Sequence, residues 1–299
     1  MIKRTLYFGN QAYLSTKNEQ IKIKFSKNAP EVSVPIEDIG VMILDNSQIT
    51  ITHTLISRLL ANNVALITCN EQHHPTGMLL NLDGHTKQSK LFREQISCSE
   101  PLKKQIWQQT VIAKIKNQTK LLELCGCEVS EKLKNLSTKV LSGDSTNVEA
   151  QAASIYWKGL FGRGFIRRRF GDFPNNFLNY GYAILRGIVA RSLTGSGMLP
   201  TLGIHHRNQY NAYCLADDIM EPYRPFVDLV VLHAIKERQN TNKDELVKED
   251  KEQLLKIPIL DVHINNKIRP LMVAAQESTA SLALCFEKKS KEIKYPILS

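Results

Sequence analysis

The chain has 299 residues, 42% of them hydrophobic and 23% charged, with a formal net charge of +10 at pH 7. This apolar content is enough for a folded core, so an intrinsically disordered chain is not the favoured interpretation. The surplus of lysine and arginine favours a polyanionic partner, although charge alone leaves nucleic acid and a merely basic protein equally open.

The first 85 or so residues have strand character. Residues 21–25 alternate apolar and polar side chains with a period of two, as a half-buried strand does. Further short strands are predicted at residues 32–34, 41–44, 49–51 and 64–69, with a helix at 54–62. These elements predict a small β-rich, sandwich-like domain.

Helical spacing replaces this pattern from about residue 91. Helices are predicted in the region from 91 to about 124 and at residues 150–160, 177–193, 219–238 and 270–287. The polar stretch before residue 91 sets the boundary, so we predict an α+β fold with a β-rich domain at 1–90 and a larger all-α domain at 91–299. Residues 239–256 form either a solvated helix or a mobile loop, and the basic tail from 288 is expected to fray.

No apolar run approaches the roughly 18 residues that a membrane-spanning helix needs, and no secretory signal is visible. The six cysteines include no CxxC pair, so free thiols are expected rather than a zinc site. We therefore expect a cytoplasmic protein with no membrane partner.

Two segments carry chemically interesting residues that also have ordinary structural explanations. Thr146 and Glu149 have the spacing of a helix capping box, which on the pattern alone is the favoured interpretation. His205 and His206 are adjacent, so their side chains point in different directions and at most one is expected to bind a given metal. Taken alone, such a pair is more often structural.

A third segment contains Asp217, Asp218 and Glu221. Asp217 is a plausible helix N-cap, and Asp218 and Glu221 are spaced to share one helix face, where acids interact favourably with the helix dipole. Pro222 and Pro225 place a break beside Glu221, which is unusual for a purely structural helix start.

A cluster of basic and aromatic residues follows Glu149 directly. Such a mixture suits phosphate contacts and base stacking, although a solvated basic face is the alternative. Its members are Lys158, Arg163, Arg167, Arg168 and Arg169, interleaved with Tyr156, Trp157, Phe161, Phe165 and Phe170.

Two carboxylates and one imidazole from these segments could together hold a divalent cation. Such an ion polarises a scissile phosphate and orients an attacking hydroxyl. Oxygen-rich ligation suits Mg²⁺ or Mn²⁺, and one histidine is better suited to Mn²⁺.

Three motifs, in this order, resemble the CRISPR-associated integrase, the larger of the two adaptation proteins, and are most similar to type II members. They are the helix that begins with Glu149, the turn Gly203-Ile-His-His206, and Asp218-Ile-Met-Glu221-Pro-Tyr-Arg224-Pro225. The resemblance implies that Glu149, His206 and Glu221 are the catalytic metal ligands. It favours His206 over His205 and makes Asp218 an auxiliary candidate. The expected DNA-binding residues are Lys158, Arg163, Arg167, Arg168 and Arg224.

The resemblance also implies an activity and a set of partners. The implied enzyme is a homodimer, formed largely through the β domain, that assembles with a small ferredoxin-like adaptation partner into a heterohexamer and works alongside other type II CRISPR proteins. It carries double-stranded DNA, the prespacer, and joins its 3′-hydroxyl ends to the CRISPR repeat by transesterification. A DNA endonuclease that uses water and a non-catalytic DNA-binding scaffold are the alternatives.

Overall fold

The computed structural model describes residues 3–25, 30–71, 73, 75–168, 171–238 and 245–299. Arg169 and Phe170 of the basic cluster, and residues 239–244 of the charge-rich segment, lie outside the described residues. Within the described ranges, every helix is too short or too polar to cross a membrane.

Two four-stranded sheets form the N-terminal region, which confirms that this region is rich in β-strands. The strands are β1 (Arg4–Phe8), β2 (Tyr13–Lys17), β3 (Gln20–Lys24), β4 (Val32–Pro35), β5 (Ile39–Leu44), β6 (Thr50–Ile51), β7 (Ala65–Cys69) and β8 (Pro75–Leu79). One sheet has the order β1-β5-β7-β8, in which only β8 runs antiparallel to its neighbour. The other has the order β4-β3-β2-β6, in which β6 runs parallel to β2.

Strand β5 is buried on both faces and joins the two parts of the molecule. Met42 packs with Leu14 in a core shared by the two sheets and by helix α1 (His53–Ala61). Val41 and Ile43 face the opposite way, into the large core of the helical region. A strand covered on both sides needs a continuous apolar sequence, which Ile39–Leu44 has.

The helical region is organised around α3 and α6. The helices are α2 (Gln88–Ile96), α3 (Glu100–Leu124), α4 (Ser130–Ser137), α5 (Val148–Phe161), α6 (Asn175–Gly195), α7 (Cys214–Met220), α8 (Arg224–Glu237), α9 (Lys248–Leu254) and α10 (Leu271–Phe286). Helix α6 lies against strand β7 at Gly187, where an added Cβ would lie 2.7 Å from Cδ1 of Ile67. Only glycine allows this close approach without displacing Ile67.

The prediction that the C-terminal region is all helical is wrong, because a β-hairpin precedes α10. Strands β9 (Asp261–Ile264) and β10 (Lys267–Pro270) pair antiparallel. Asn265 and Asn266 connect them with positive φ angles of 52° and 59°. Asparagine tolerates this left-handed conformation, and two such residues form the turn that a tight hairpin requires.

Two segments expected to be solvated are packed instead. In α9, Lys251 is 5% exposed, and its Nζ lies 2.8 Å from Oδ2 of Asp45, at the end of β5. The tail is not frayed, because Ile293 and Leu298 are buried and the backbone N–H of Leu298 donates to Oδ1 of Asn117 on α3. A lysine or a basic tail becomes buried when a distant element supplies its partner, which local composition does not reveal.

Candidate active site

Glu149 lies in the first turn of α5, and its side chain is free of the capping role predicted for it. Asp144 caps this helix, since its two carboxylate oxygens accept from the backbone N–H groups of Val148 at 2.8 Å and Glu149 at 3.0 Å. The predicted capping box between Thr146 and Glu149 is therefore wrong. With the backbone donors satisfied by Asp144, the Glu149 carboxylate is available to other partners.

Glu221 lies at a break between two helices. Helix α7 ends at Met220, Glu221–Tyr223 forms a single 3₁₀ turn, and α8 begins at Arg224. Pro222 and Pro225 lack the N–H groups that a continuous helix would use. The Asn117 side chain donates to the Pro222 carbonyl at 2.8 Å, which fixes this turn against α3.

Asp217 is not the N-cap of this helix, which begins after Tyr213. Its carboxylate instead receives two hydrogen bonds from the Arg186 guanidinium, at 2.7 and 3.0 Å. This bidentate pair joins α7 to α6 and gives Asp217 a structural role.

Glu149 and Glu221 converge on one buried lysine. Lys114 Nζ lies 2.6 Å from Oε1 of Glu149 and 2.6 Å from Oε2 of Glu221. Burial alone would lower the pKa of Lys114, but the two carboxylates outweigh it and raise that pKa. Burial would likewise raise the pKa of Glu221, but Arg224 and Lys114 lower it. The centre of the site therefore holds a buried cation between two glutamate side chains.

Lys114 was not predicted as a site residue, although it belongs to a stripe of polar residues on α3. Helix α3 carries a buried polar stripe at helical spacing, made of Thr110, Lys114, Asn117 and Gln118. Buried polar side chains need partners, so such a stripe in a long helix indicates a functional or network-forming face. The lysine remained hidden because charged residues on helices are usually solvated.

His206 is held by Asp218, which is fully buried. The Asp218 carboxylate accepts from the backbone N–H groups of Ile204 at 2.7 Å, His205 at 3.0 Å and His206 at 3.2 Å. Its Oδ1 also lies 2.5 Å from Nδ1 of His206. Since this carboxylate acts as the acceptor throughout, Nδ1 is the donor and Nε2 of His206 is left free for another partner.

The hydrogen bond to Asp218 also raises the pKa of His206, against the opposing effect of partial burial. The charges of Glu221 and Glu149 act in the same direction as Asp218. His206 therefore lies within the field of both carboxylates that meet at Lys114.

His205 points away from this hydrogen bond. Its ring stacks on Trp107 of α3 with a centroid distance of 4.1 Å and an interplanar angle of 2°, whereas His206 meets the same indole edge-on. Geometry thus separates the two adjacent histidines, with one ring packed on an indole and the other tied to Asp218.

The donor set is of the kind that Mg²⁺ or Mn²⁺ uses. Oε2 of Glu221 is buried and lies 2.6 Å from the ammonium group of Lys114. Among the described residues, no three His, Cys, Asp or Glu side chains are close enough together to hold an ion. The side chains of Glu149, Glu221 and His206 are chemically suited to a divalent cation. The group that lies between the two carboxylates is the ammonium group of Lys114.

Arg224 and Arg167 line a cavity of about 160 Å³ beside Glu221. Arg224 Nε lies 2.8 Å from Oε1 of Glu221, and both guanidinium groups lie over the Tyr182 ring, at 4.5 Å for Arg224 and 5.2 Å for Arg167. Tyr182 donates in turn to buried Asp228 at 2.5 Å. Arg167 is thus half-buried and structurally held, as well as basic.

The other predicted DNA-binding residues face solvent. Lys158, Arg163 and Arg168 are exposed at the end of α5 and in the segment that follows it. Phe165 folds this segment back onto Trp157 of α5, at a centroid distance of 5.5 Å. The exposed basic residues therefore lie next to packed aromatic side chains, in the segment that follows Glu149 in sequence.

A groove of about 470 Å³ opens on the His206 side of the site. Its wall combines apolar and polar residues and includes His206, Arg207, Asn208, Glu100 and Lys103. The Arg207 guanidinium bonds to Glu100 at 2.6 Å, so one charged pair already bridges this wall.

Comparison with known proteins gives a consistent result. A family model described as CRISPR associated protein Cas1 matches residues 6–260. The CRISPR-associated endonuclease Cas1 of Neisseria meningitidis serogroup C (strain 8013) is 39% identical over 298 residues, covering 99% of this chain and 96% of that protein.

Solved structures share the fold at lower sequence identity. A casposase bound to integration product superposes with a TM-score of 0.80 at 18% identity, covering 98% of this chain and 92% of that one. A chain of a Cas6-RT-Cas1–Cas2 complex superposes with a TM-score of 0.72 at 19% identity, covering 98% of this chain and 36% of that one.

Proposed function

The chain belongs to the CRISPR-associated Cas1 family of endonucleases, and from that membership we propose that it is a metal-dependent DNA integrase. It joins the 3′-hydroxyl ends of a prespacer to a CRISPR repeat by transesterification. The observation that carries this proposal is the convergence of Glu149 and Glu221 on one cationic centre, beside a histidine whose Nδ1 is fixed by Asp218.

The proposed metal ligands are Glu149, Glu221 and Nε2 of His206. A bound Mg²⁺ or Mn²⁺ would polarise the scissile phosphate and stabilise the leaving oxygen. Asp218 is a positioning residue rather than a ligand, because three backbone N–H groups and the His206 ring occupy its oxygens. Arg224 orients Glu221 through its hydrogen bond to Oε1.

Phosphate contacts would hold the DNA on the surface next to this site. The residues proposed for this role are Lys158, Arg163, Arg167, Arg168 and Arg224. Lys158, Arg163 and Arg168 are exposed and can reach a backbone directly, whereas Arg167 and Arg224 line the cavity beside Glu221. The casposase, whose structure was solved with integration product, supports a DNA partner, which we propose is double-stranded.

We further propose that the protein works as a homodimer with a small ferredoxin-like partner in a heterohexamer. The Cas6-RT-Cas1–Cas2 complex supports a partner of the Cas2 kind. Cooperation with other type II CRISPR proteins is part of the same proposal.

The attacking group distinguishes integration from hydrolysis. The purified protein and its small partner are mixed with a repeat-bearing plasmid and a labelled prespacer that ends in either a 3′-hydroxyl or a 3′-dideoxy nucleotide. We expect joined product only with the 3′-hydroxyl. Plasmid cleavage that is equal for both ends, without joined label, favours the endonuclease that uses water.

A further inference from the structure

The ammonium group of Lys114 occupies the position between the two carboxylates where a divalent cation is expected. It lies 2.6 Å from an oxygen of Glu149 and 2.6 Å from an oxygen of Glu221. The contacts are as short as those of strong charge-assisted hydrogen bonds. Lys114 therefore provides the positive charge that keeps two neighbouring carboxylates together.

Both oxygens of Glu221 already face a cation. Oε1 is bonded to Arg224 at 2.8 Å, and Oε2 faces Lys114. A divalent ion that uses Glu221 must therefore displace one of the two side chains or share an oxygen with it. A shared oxygen would bring two positive charges close together in a buried site, which is unfavourable at low effective dielectric.

Lys114 is the side chain that can move. Arg224 is planar, lies 4.5 Å from the centre of the Tyr182 ring and has a rigid fork of donors, whereas lysine has a flexible stem. Lys114 also lines the cavity of about 160 Å³ beside Glu221, so its flexible stem has space to move. Arg167 and Arg224 line the same cavity, and both oxygens of Asp228 in its wall already accept from tyrosine hydroxyls, so the withdrawn ammonium gains space there but no free carboxylate.

We propose that Lys114 is a positioning residue that holds Glu149 and Glu221 together in the absence of metal and moves aside when a divalent cation binds. It thereby sets the metal affinity of the site. This inference rests on the proposed function, because it takes the two glutamates as metal ligands. The metal can bind only to molecules in which Lys114 has moved aside. Its apparent affinity is therefore reduced by the fraction of molecules in that state.

Mn²⁺ binding and thermal unfolding test this role without using enzyme activity. Free Mn²⁺ is measured by electron paramagnetic resonance for the wild type, Lys114→Met, Lys114→Gln and Lys114→Arg. Lys116→Met is the matched control, since Lys116 is exposed on the same helix. We expect both neutral variants to bind Mn²⁺ about tenfold more tightly or better, because no resident cation competes. Lys114→Arg should bind no more tightly than the wild type.

The neutral variants should also have a lower Tm without metal and a larger Tm increase with Mn²⁺ than the wild type. A Lys114→Met protein that folds only with Mn²⁺ supports the proposal equally. If both neutral variants bind Mn²⁺ with the affinity of Lys116→Met, or unfold regardless of Mn²⁺, the proposal is overturned while the metal site stands. Absence of Mn²⁺ binding in the wild type and in both neutral variants, with all three folded, overturns the metal site itself.

Discussion

The Nδ1 atom of His206 lies 2.5 Å from Oδ1 of Asp218, a buried carboxylate that also receives the backbone N–H groups of residues 204–206. Asp218 therefore fixes both the loop and the imidazole that the loop carries. This relationship makes Asp218 a determinant of the histidine's orientation and pKa.

Metal affinity should depend on pH through His206. Its pKa is raised, first by the hydrogen bond to Asp218, so a proton competes with the metal up to a higher pH than for an ordinary histidine. Affinity for Mn²⁺ should rise as pH increases through this raised pKa. Asp218→Asn should move that rise to lower pH, as measured by Mn²⁺ titrations across the pH range. An unshifted profile in Asp218→Asn would show that Asp218 does not set the pH at which His206 loses its proton.

Protein stability should depend on pH through Asp228. Burial raises its pKa to about 6, against the hydrogen bonds from Tyr156 and Tyr182, which lower it. Because the folded pKa lies above the unfolded one, the stabilising contribution is present below about pH 4 and is lost as pH rises through about 6. The total change is about 3 kcal/mol. Asp228→Asn should lack this component in urea unfolding measured from pH 4 to 7, and an unchanged pH slope would contradict the assignment.

The two adjacent histidines should respond differently to substitution. His205→Ala removes a stacked pair with Trp107 and should cost about 0.5–1.5 kcal/mol of stability while Mn²⁺ binding is retained. His206→Ala should weaken Mn²⁺ binding and abolish joining. Denaturant unfolding and Mn²⁺ titration of both variants measure the contrast. The opposite pattern, with metal binding lost only in His205→Ala, would place the ligand one residue earlier.

The exposed arginines should contribute to DNA binding mainly through counterion release. Replacing Arg163 and Arg168 together by alanine should weaken binding and reduce the slope of log K against log salt by about 2. Arg167→Ala should differ, because its guanidinium bonds to Asn175 at 3.0 Å and Asn179 at 2.7 Å, so its loss should also lower Tm. Fluorescence anisotropy at several salt concentrations measures the slopes. If the double variant keeps the wild-type slope, these arginines lie away from the DNA path.

Much of the fold could be predicted from local pattern. Alternation located β3 and short β-rich runs located β4 to β7, whereas β1, β2 and β8 were not predicted. Helical spacing located α5, α6 and α10. The β9–β10 hairpin was missed because its short strands lie in a mainly helical region, although Asn265-Asn266 is a turn signal. Packing of the tail depends on Asn117, far away in sequence, which no local pattern reveals.

The candidate site was only partly predictable, because it also depends on contacts between residues that are far apart in sequence. The order of the three motifs indicated Glu149, His206 and Glu221, but the spacing of Thr146 suggested a cap that Asp144 in fact provides. Lys114 belongs to a polar stripe on α3, but the local sequence does not show that this lysine is buried. Its burial depends on carboxylates brought by α5 and by the turn after α7, and therefore on the tertiary structure.

The central claim is that Glu149, His206 and Glu221 form the site at which DNA ends are joined. It is tested most directly by single alanine variants of each in the reconstituted joining assay, with DNA affinity measured in parallel and Glu131→Ala, an exposed glutamate on α4, as the control. We expect each of the three to abolish joined product while DNA affinity largely survives, because phosphate contacts dominate that affinity. Joining at the level of Glu131→Ala in all three variants would contradict the account.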